Sequence, residues 1–201
     1  NGKPIYCVQH DDDINDALFS PDGKYLITGS TDQTLRVWNA ADGSLVKQFD
    51  FDDAVLDLEI HKNLLAVVRD LRTLTVIDLD NLEKPAAVRN FDRNIGASTV
   101  KFSPDGRFLA FGTKIGKVFF WRVGPNSRLI YDGPTHINSN FAVLAFSPDS
   151  SWLVSGGGDS LAKLTRTDGT PKAVTPHSDW VEDVAFSPNG VACKLYCLIL
   201  L

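Results

Sequence analysis

The feature that most constrains this chain is the tripeptide Phe-Ser-Pro, which recurs at a nearly regular spacing. Copies begin at Phe19, Phe102, Phe146 and Phe186, at intervals of 83, 44 and 40 residues. Because the first interval is about twice the others, a degenerate copy is expected near residue 60. A period of roughly 40 residues indicates an array of one supersecondary unit whose neighbours stack to bury a shared core.

Within each unit the pattern is that of β-strands. Short runs rich in Val, Ile, Leu, Phe and Thr alternate with turn sequences such as Pro-Asp-Gly at residues 21–23 and 104–106. No window has a sustained helical period. An aromatic residue, a leucine and then a glycine follow these turns in one register, the glycines being Gly29, Gly112 and Gly156. The sequence therefore predicts an all-β protein of four-stranded antiparallel blades.

These residues resemble the tryptophan-aspartate (WD) repeat β-propellers, whose blades contain Gly-His, Phe-Ser-Pro-Asp-Gly, Ser-Gly-Ser-x-Asp and Trp-Asp in that order. The best copy is made of His10, residues 19–23, residues 28–32 and Trp38-Asn39. Other copies are eroded: Arg93 stands at the first histidine of its unit and Ile115 at its turn aspartate. The resemblance covers nearly the whole chain and implies a β-propeller.

The spacing predicts about four blades plus a truncated fifth, in a single propeller segment over residues 1–201. The expected parts are the outer strand of a preceding blade at 1–9, repeats at about 10–50, 51–92, 93–135 and 136–176, and a partial repeat at 177–201. After Gly190 the sequence no longer resembles the expected second and third strands. Propellers usually have four to eight blades, so we expect a fragment of a longer protein, an incomplete ring, and self-association through an unpaired blade edge.

His10, Thr28, Asp32 and Trp38 invite comparison with a catalytic triad. The family resemblance instead implies a structural tetrad, in which the indole bonds the hydroxyl, the hydroxyl the imidazole and the imidazole the carboxylate. We favour the structural interpretation. His136 is expected to be an eroded copy of the blade histidine.

Other candidate motifs fail on spacing. Residues 11–16 begin like a calcium loop, but Asp16 and Asp22 occupy the positions that require Gly and Glu. Residues 112–118 are one residue too short for a phosphate-binding loop and end in Val118. The chain contains no G-x-S-x-G nucleophile elbow. We therefore expect no enzyme activity and no catalytic, cofactor or metal site.

Composition limits the classes of partner. The net charge is −5 and no basic run could follow a phosphate backbone, so no nucleic acid is expected. No apolar stretch approaches the roughly 20 residues of a membrane span, so no membrane is expected either. Three cysteines and the absence of a glycosylation acceptor favour an intracellular protein, cytoplasmic or nuclear.

The predicted function is a non-catalytic scaffold that presents loops at one end of its blades to peptides or proteins of unknown identity. The expected partner-binding residues are Asp13, Asn15, Thr31, Ser98, Lys114, Trp180 and Glu182. An exposed Trp180 would suit an interface anchor, although packing against the neighbouring blade explains it equally well. Two alternatives stay open: the accessory or gating propeller of an enzyme such as a peptidase, and a truncated product without independent function.

Overall fold

A computed structural model describes residues 6–69, 73–83, 85–90, 96–123, 128–190 and 193–197. Regular structure within these ranges is entirely β, which confirms the predicted fold class. The strands are β1 (Ile14–Phe19), β2 (Tyr25–Ser30), β3 (Thr34–Asn39), β4 (Leu45–Asp50), β5 (Val55–His61), β6 (Leu64–Arg69), β7 (Thr73–Asp78), β8 (Pro85–Asn90), β9 (Ala97–Phe102), β10 (Phe108–Thr113), β11 (Lys117–Arg122), β12 (Arg128–Thr135), β13 (Ala142–Phe146), β14 (Trp152–Gly157), β15 (Leu161–Arg166), β16 (Pro171–Pro176), β17 (Val181–Phe186) and β18 (Cys193–Cys197).

Within each sheet, strands that are consecutive along the chain pair antiparallel. The result is four four-stranded sheets, called here blade 1 (β1–β4), blade 2 (β5–β8), blade 3 (β9–β12) and blade 4 (β13–β16), and a two-stranded sheet of β17 and β18. Strand β5 occupies the place where the degenerate repeat is expected. Although the sequence after Gly190 does not resemble a second blade strand, β18 nevertheless pairs with β17.

The chain divides into two compact units, residues 1–93 and 94–201. Unit 1 holds blades 1 and 2, and unit 2 holds blades 3 and 4 with the β17–β18 sheet. In unit 1 the core is formed by apolar residues from both blades, among them Ile27, Val37 and Leu65, each 0% exposed. In unit 2 the core includes Phe120 and Leu153, which are equally buried.

The repeated Ser-Pro-Asp sequence forms the same turn between first and second strands. The Ser20 hydroxyl donates to Asp22 Oδ1 at 2.7 Å and accepts from the Tyr25 N–H at 2.9 Å. Gly23 adopts a φ of +71°, in the left-handed region that favours glycine. Equivalent serine bonds close the turns at Ser103 and Ser147. The motif recurs because its own side chains satisfy the backbone of the turn.

The repeated glycines on the second strands make room for the next sheet. A Cβ at Gly29 would lie 3.1 Å from the Cβ of Val55 and closer still to Val55 Cγ1. A Cβ at Gly156 would collide in the same way with Val181, 2.8 Å from its Cβ. Val55 and Val181 are both completely buried. Each glycine thus provides a cavity that a first-strand residue of the following sheet fills.

Candidate functional site

The structure brings His10, Thr28, Asp32 and Trp38 together in blade 1. The Trp38 indole N–H donates to Thr28 Oγ1 at 2.8 Å. Thr28 Oγ1 lies 2.6 Å from His10 Nε2, and His10 Nδ1 lies 2.9 Å from Asp32 Oδ2. Because an ionised carboxylate only accepts, Nδ1 carries the proton and donates to Asp32, while Nε2 accepts the hydroxyl proton of Thr28. The four side chains form one directed chain of hydrogen bonds.

Blade 4 contains three members of the same set. His136 Nδ1 lies 2.7 Å from Asp159 Oδ1, and His136 Nε2 lies 2.9 Å from Ser155 Oγ. Thr165 occupies the strand position that Trp38 has in blade 1, and it is buried at 2% exposure. The histidine, hydroxyl and carboxylate of blade 1 are therefore repeated, but the indole is not.

Blade 2 has apolar side chains at the hydroxyl and indole positions, whereas blade 3 keeps a tryptophan, Trp121, and has an apolar residue at the hydroxyl position. Val67 and Ile77 of blade 2 hold the positions of the hydroxyl and the indole, and both are 0% exposed. In blade 3, Phe111 holds the hydroxyl position and stacks on Phe119 with ring centroids 5.0 Å apart. Apolar packing and the hydrogen-bonded set thus fill the same space in different blades.

The polar sets have the atomic order of a hydrolytic triad, hydroxyl to imidazole to carboxylate. Both histidine side chains, however, are 0% exposed, and Thr28 and Ser155 are at most 2% exposed. A nucleophile must reach its substrate, and these hydroxyls are covered by their own blades. The arrangement satisfies buried polar groups and offers no access for an attacked carbonyl.

Burial and charge control the protonation of the blade 4 set. Burial lowers the pKa of His136 below its ordinary value, although the hydrogen bond to Asp159 opposes this effect. Burial also opposes ionisation of Asp159, but the hydrogen bond from His136 and the charge of Lys163 outweigh it, and the pKa of Asp159 is lowered. The set is therefore a neutral imidazole beside an ionised carboxylate.

Three predicted surface residues lie in unit 1. The loop before β1 carries Asp13, and the turn between β2 and β3 carries Thr31. The Thr31 N–H donates a hydrogen bond to the Asp13 carbonyl at 2.9 Å. Asn15 is exposed, but its amide donates to Thr31 Oγ1 at 2.9 Å and to the Val55 carbonyl at 2.8 Å. Asn15 therefore ties the loop end of blade 1 to blade 2.

The other four predicted surface residues lie in unit 2. Lys114 is exposed in the turn between β10 and β11, and its N–H donates to the Gly96 carbonyl at 2.7 Å. Trp180 is 51% exposed just before β17, where Glu182 is exposed as well. Ser98 belongs to β9, and its side chain lies outside the described residues.

Sequence reasoning missed two apolar residues in the loop before β13. Phe141 contacts Trp180 edge to face, with ring centroids 6.1 Å apart and planes at 60°. Ile137, four residues before Phe141, is 68% exposed. Trp180 therefore packs against blade 4 along one edge and exposes the rest of its indole. In the sequence, Ile137 is marked only by its position directly after the blade histidine, His136.

The described ranges contain neither a cluster of three or more metal-ligating side chains nor a helix long and apolar enough to cross a membrane. In the segment that begins like a calcium loop, Asp16 uses its carboxylate on the backbone. Its oxygens accept from the N–H groups of Ala17 and Leu58, each at 2.8 Å. That carboxylate therefore fixes two strands and is already occupied.

Sheets of four antiparallel strands, each made by one repeat, are typical of the β-propeller class, and two of them here carry a buried His–hydroxyl–Asp set. Two stretches, residues 2–39 and 128–165, match the family described as "WD domain, G-beta repeat". The chain belongs to the WD-repeat family, as the resemblance predicted.

Three named relatives give the range of similarity. The small ribosomal subunit protein RACK1 of Caenorhabditis elegans is 30% identical over 198 residues, covering 94% of this chain and 59% of the relative. The LST8 homolog of Drosophila melanogaster is 27% identical over 184 residues, covering 83% and 56%. Subunit I of eukaryotic translation initiation factor 3 from Aspergillus niger is 26% identical over 162 residues, covering 74% and 48%. The chain thus spans about half the length of these relatives.

Proposed function

We propose that the chain is a non-catalytic protein-interaction scaffold, cytoplasmic or nuclear, that binds partner proteins through the loops at one end of its blades. The observation that carries the proposal is a division of roles. The side chains capable of chemistry are sealed inside blades 1 and 4, whereas Trp180 and Ile137 are large, apolar and exposed on loops. Two of the relatives are named as components of larger assemblies, a small ribosomal subunit and an initiation factor.

The loop end of unit 2 has the features of an anchoring site. Trp180 is held in place on one edge by Phe141 and is about half exposed, so its orientation is fixed before a partner arrives. Rigid aromatic side chains at interface centres contribute a large share of binding energy because little conformational entropy is lost. Glu182, two residues further along, supplies an exposed carboxylate.

This chemistry favours a partner segment with a large apolar side chain next to a lysine or arginine. The apolar group would pack against Trp180, and the cation would meet Glu182 or the face of the indole. The loop end of unit 1 also favours a positively charged partner, since Asp11, Asp12 and Asp13 are all exposed there. Acidic loops speed the encounter with basic partners and reject acidic ones.

The test is affinity capture from a cytoplasmic and nuclear lysate with the full chain as bait, comparing Trp180→Ala with Val174→Ala. Val174 is the control because it is 58% exposed on the outer strand β16, away from the loop end of its blade. A second pair compares Glu182→Gln with Glu83→Gln, whose side chain is 84% exposed in unit 1.

The proposal expects one set of partners to be lost with Trp180→Ala, weakened with Glu182→Gln and retained with both controls. Removal of an anchoring tryptophan typically weakens binding by about 2 kcal/mol or more, or roughly thirtyfold. Equal capture by Trp180→Ala and the unmodified chain would refute this site. Hydrolysis of ester or peptide substrates that is lost with Ser155→Ala would refute the non-catalytic assignment.

A further inference from the structure

A cation accompanies the polar set in blade 1. Arg36 Nη1 donates to the Gln9 carbonyl at 2.6 Å, and Nη2 lies 3.4 Å from Asp11 Oδ2 and 3.5 Å from Asp32 Oδ2. The Arg36 side chain is only 14% exposed. Arg36 therefore contacts both the carboxylate of the set and the loop that leads into the blade.

Blade 4 repeats this arrangement with a different residue. Lys163 Nζ donates to the Thr135 carbonyl and lies 3.3 Å from Asp159 Oδ2, and its side chain is also 14% exposed. Gln9 and Thr135 each immediately precede the histidine of their set. Lys163 follows Asp159 by four residues, the same spacing that separates Arg36 from Asp32.

Strand register places these cations directly opposite the hydroxyl of each set. Arg36 pairs with Thr28, and Lys163 pairs with Ser155. The two blades that lack the hydroxyl also lack the cation at this position. The corresponding pairs are Val67 with Thr75 in blade 2 and Phe111 with Phe119 in blade 3.

We propose that Arg36 and Lys163 are a fifth member of the polar set, positioning residues that fasten the loop entering the blade to its third strand. The physical reason is charge. Asp32 and Asp159 are only 5% and 8% exposed, so the negative charge of each carboxylate is largely removed from water and needs a cation to compensate it. The same cation has hydrogen-bond donors left over, and it uses one on the carbonyl before the histidine.

Fastening the loop has a consequence for the exposed acidic segment of blade 1. The Asp11 N–H donates to Asp32 Oδ2 at 3.0 Å, so the carboxylate that Arg36 neutralises also holds Asp11. Arg36 thereby orients the start of the Asp11–Asp13 loop from two sides. A loop held in this way presents its carboxylates without the entropy cost of ordering them on binding.

The experiment measures amide hydrogen exchange by NMR in the full chain carrying Arg36→Met or Lys163→Met. Methionine retains much of the length and removes the charge. The proposal expects Arg36→Met to speed exchange at the Asp11 amide by about tenfold or more, with the His136 amide within about twofold. Lys163→Met should speed exchange at the His136 amide by about tenfold or more and leave the Asp11 amide within about twofold. In this variant, NMR of the imidazole should also show a raised pKa for His136, because the charge of Lys163 opposes its protonation.

The conservative exchanges Arg36→Lys and Lys163→Arg are the controls, and each should restore exchange to within about twofold of the unmodified chain. Unchanged exchange in both Met variants would overturn the proposal. Equal acceleration of exchange in both blades would also overturn it, because a general loss of stability gives that result. Failure of the conservative variants to restore protection would overturn it as well. If a Met variant does not fold, Arg36→Gln and Lys163→Gln, which keep a donor without the charge, are judged by the same criteria.

Discussion

Replacing Thr28 with valine keeps the shape of a β-branched side chain and removes the hydroxyl at the centre of the blade 1 set. That hydroxyl has two partners, the Trp38 indole N–H at 2.8 Å and His10 Nε2 at 2.6 Å. Thr28 is 2% exposed, so water cannot take its place. Both partners would stay buried with one hydrogen bond missing. Valine itself suits the strand, because Val67 has the same position in blade 2.

The expected cost follows from the two groups left unpaired. Each buried polar group without a partner costs about 1–3 kcal/mol. The histidine keeps its bond to Asp32, and some relaxation is possible, so we expect Thr28→Val to lower the free energy of unfolding of unit 1 by about 2–4 kcal/mol in total. Thr28→Ser keeps the hydroxyl and removes one methyl group. It should cost about 1 kcal/mol, and Ser155 shows that serine serves this position in blade 4.

The assay is urea unfolding of the chain labelled with 5-fluorotryptophan and followed by fluorine NMR. The chain has four tryptophans, and Trp38 is the one in unit 1, so its resonance reports on that unit by itself. Equal stabilities of the Thr28→Val and Thr28→Ser variants would refute the reasoning, because the hydroxyl would then contribute nothing that valine lacks. An upfield or downfield shift of Trp38 alone, without loss of stability, would also contradict it.

Three further perturbations have defined outcomes. Gly156→Ala should lower the stability of unit 2 by about 2–4 kcal/mol because of overpacking against Val181, and Val181→Ala in the same chain should recover part of it in urea unfolding. His10→Ala should cost about 1–3 kcal/mol through the unpaired Thr28 and Asp32 groups; an unchanged melt would contradict the buried hydrogen-bond chain. Because burial holds the pKa of His136 below 6.5, the unfolded chain takes up a proton first as pH falls through that value. The melting temperature should therefore drop from pH 7 to 5, and less so in His136→Gln if His136 causes the drop.

The blade pattern was predictable because its determinants are local. Phe-Ser-Pro-Asp-Gly encodes a turn whose serine and aspartate bond their own backbone, so each copy marks a hairpin without reference to the rest of the fold. The degenerate repeat at β5 could be placed from the period, even though its sequence keeps none of these turn residues. The pairing of β18 could not, since residues 193–197 carry no turn or blade motif.

The candidate site was only partly accessible from sequence. The family pattern identified His10, Thr28, Asp32 and Trp38 as a group, but nothing in the spacing reveals that Arg36 contacts the carbonyl before the histidine. Asn15 looked like a free surface amide, and its use on the Val55 carbonyl depends on a contact between residues 40 positions apart. Such contacts arise from how neighbouring sheets pack, which a single repeat does not encode.

Packing between neighbouring sheets limits how a chain like this can change in length during evolution. The contact concerned is the one between a glycine of one sheet and the residue of the next sheet that fills the space beside it. Gly29 receives Val55, and Gly156 receives Val181, so the repeats of blades 1 and 4 each carry a recess that a valine of the following sheet fills. Duplicating a whole repeat that has this glycine would still join a recess to a side chain that fits it. A duplication of any other length would not, and gene rearrangements in such chains should therefore survive preferentially in multiples of one repeat.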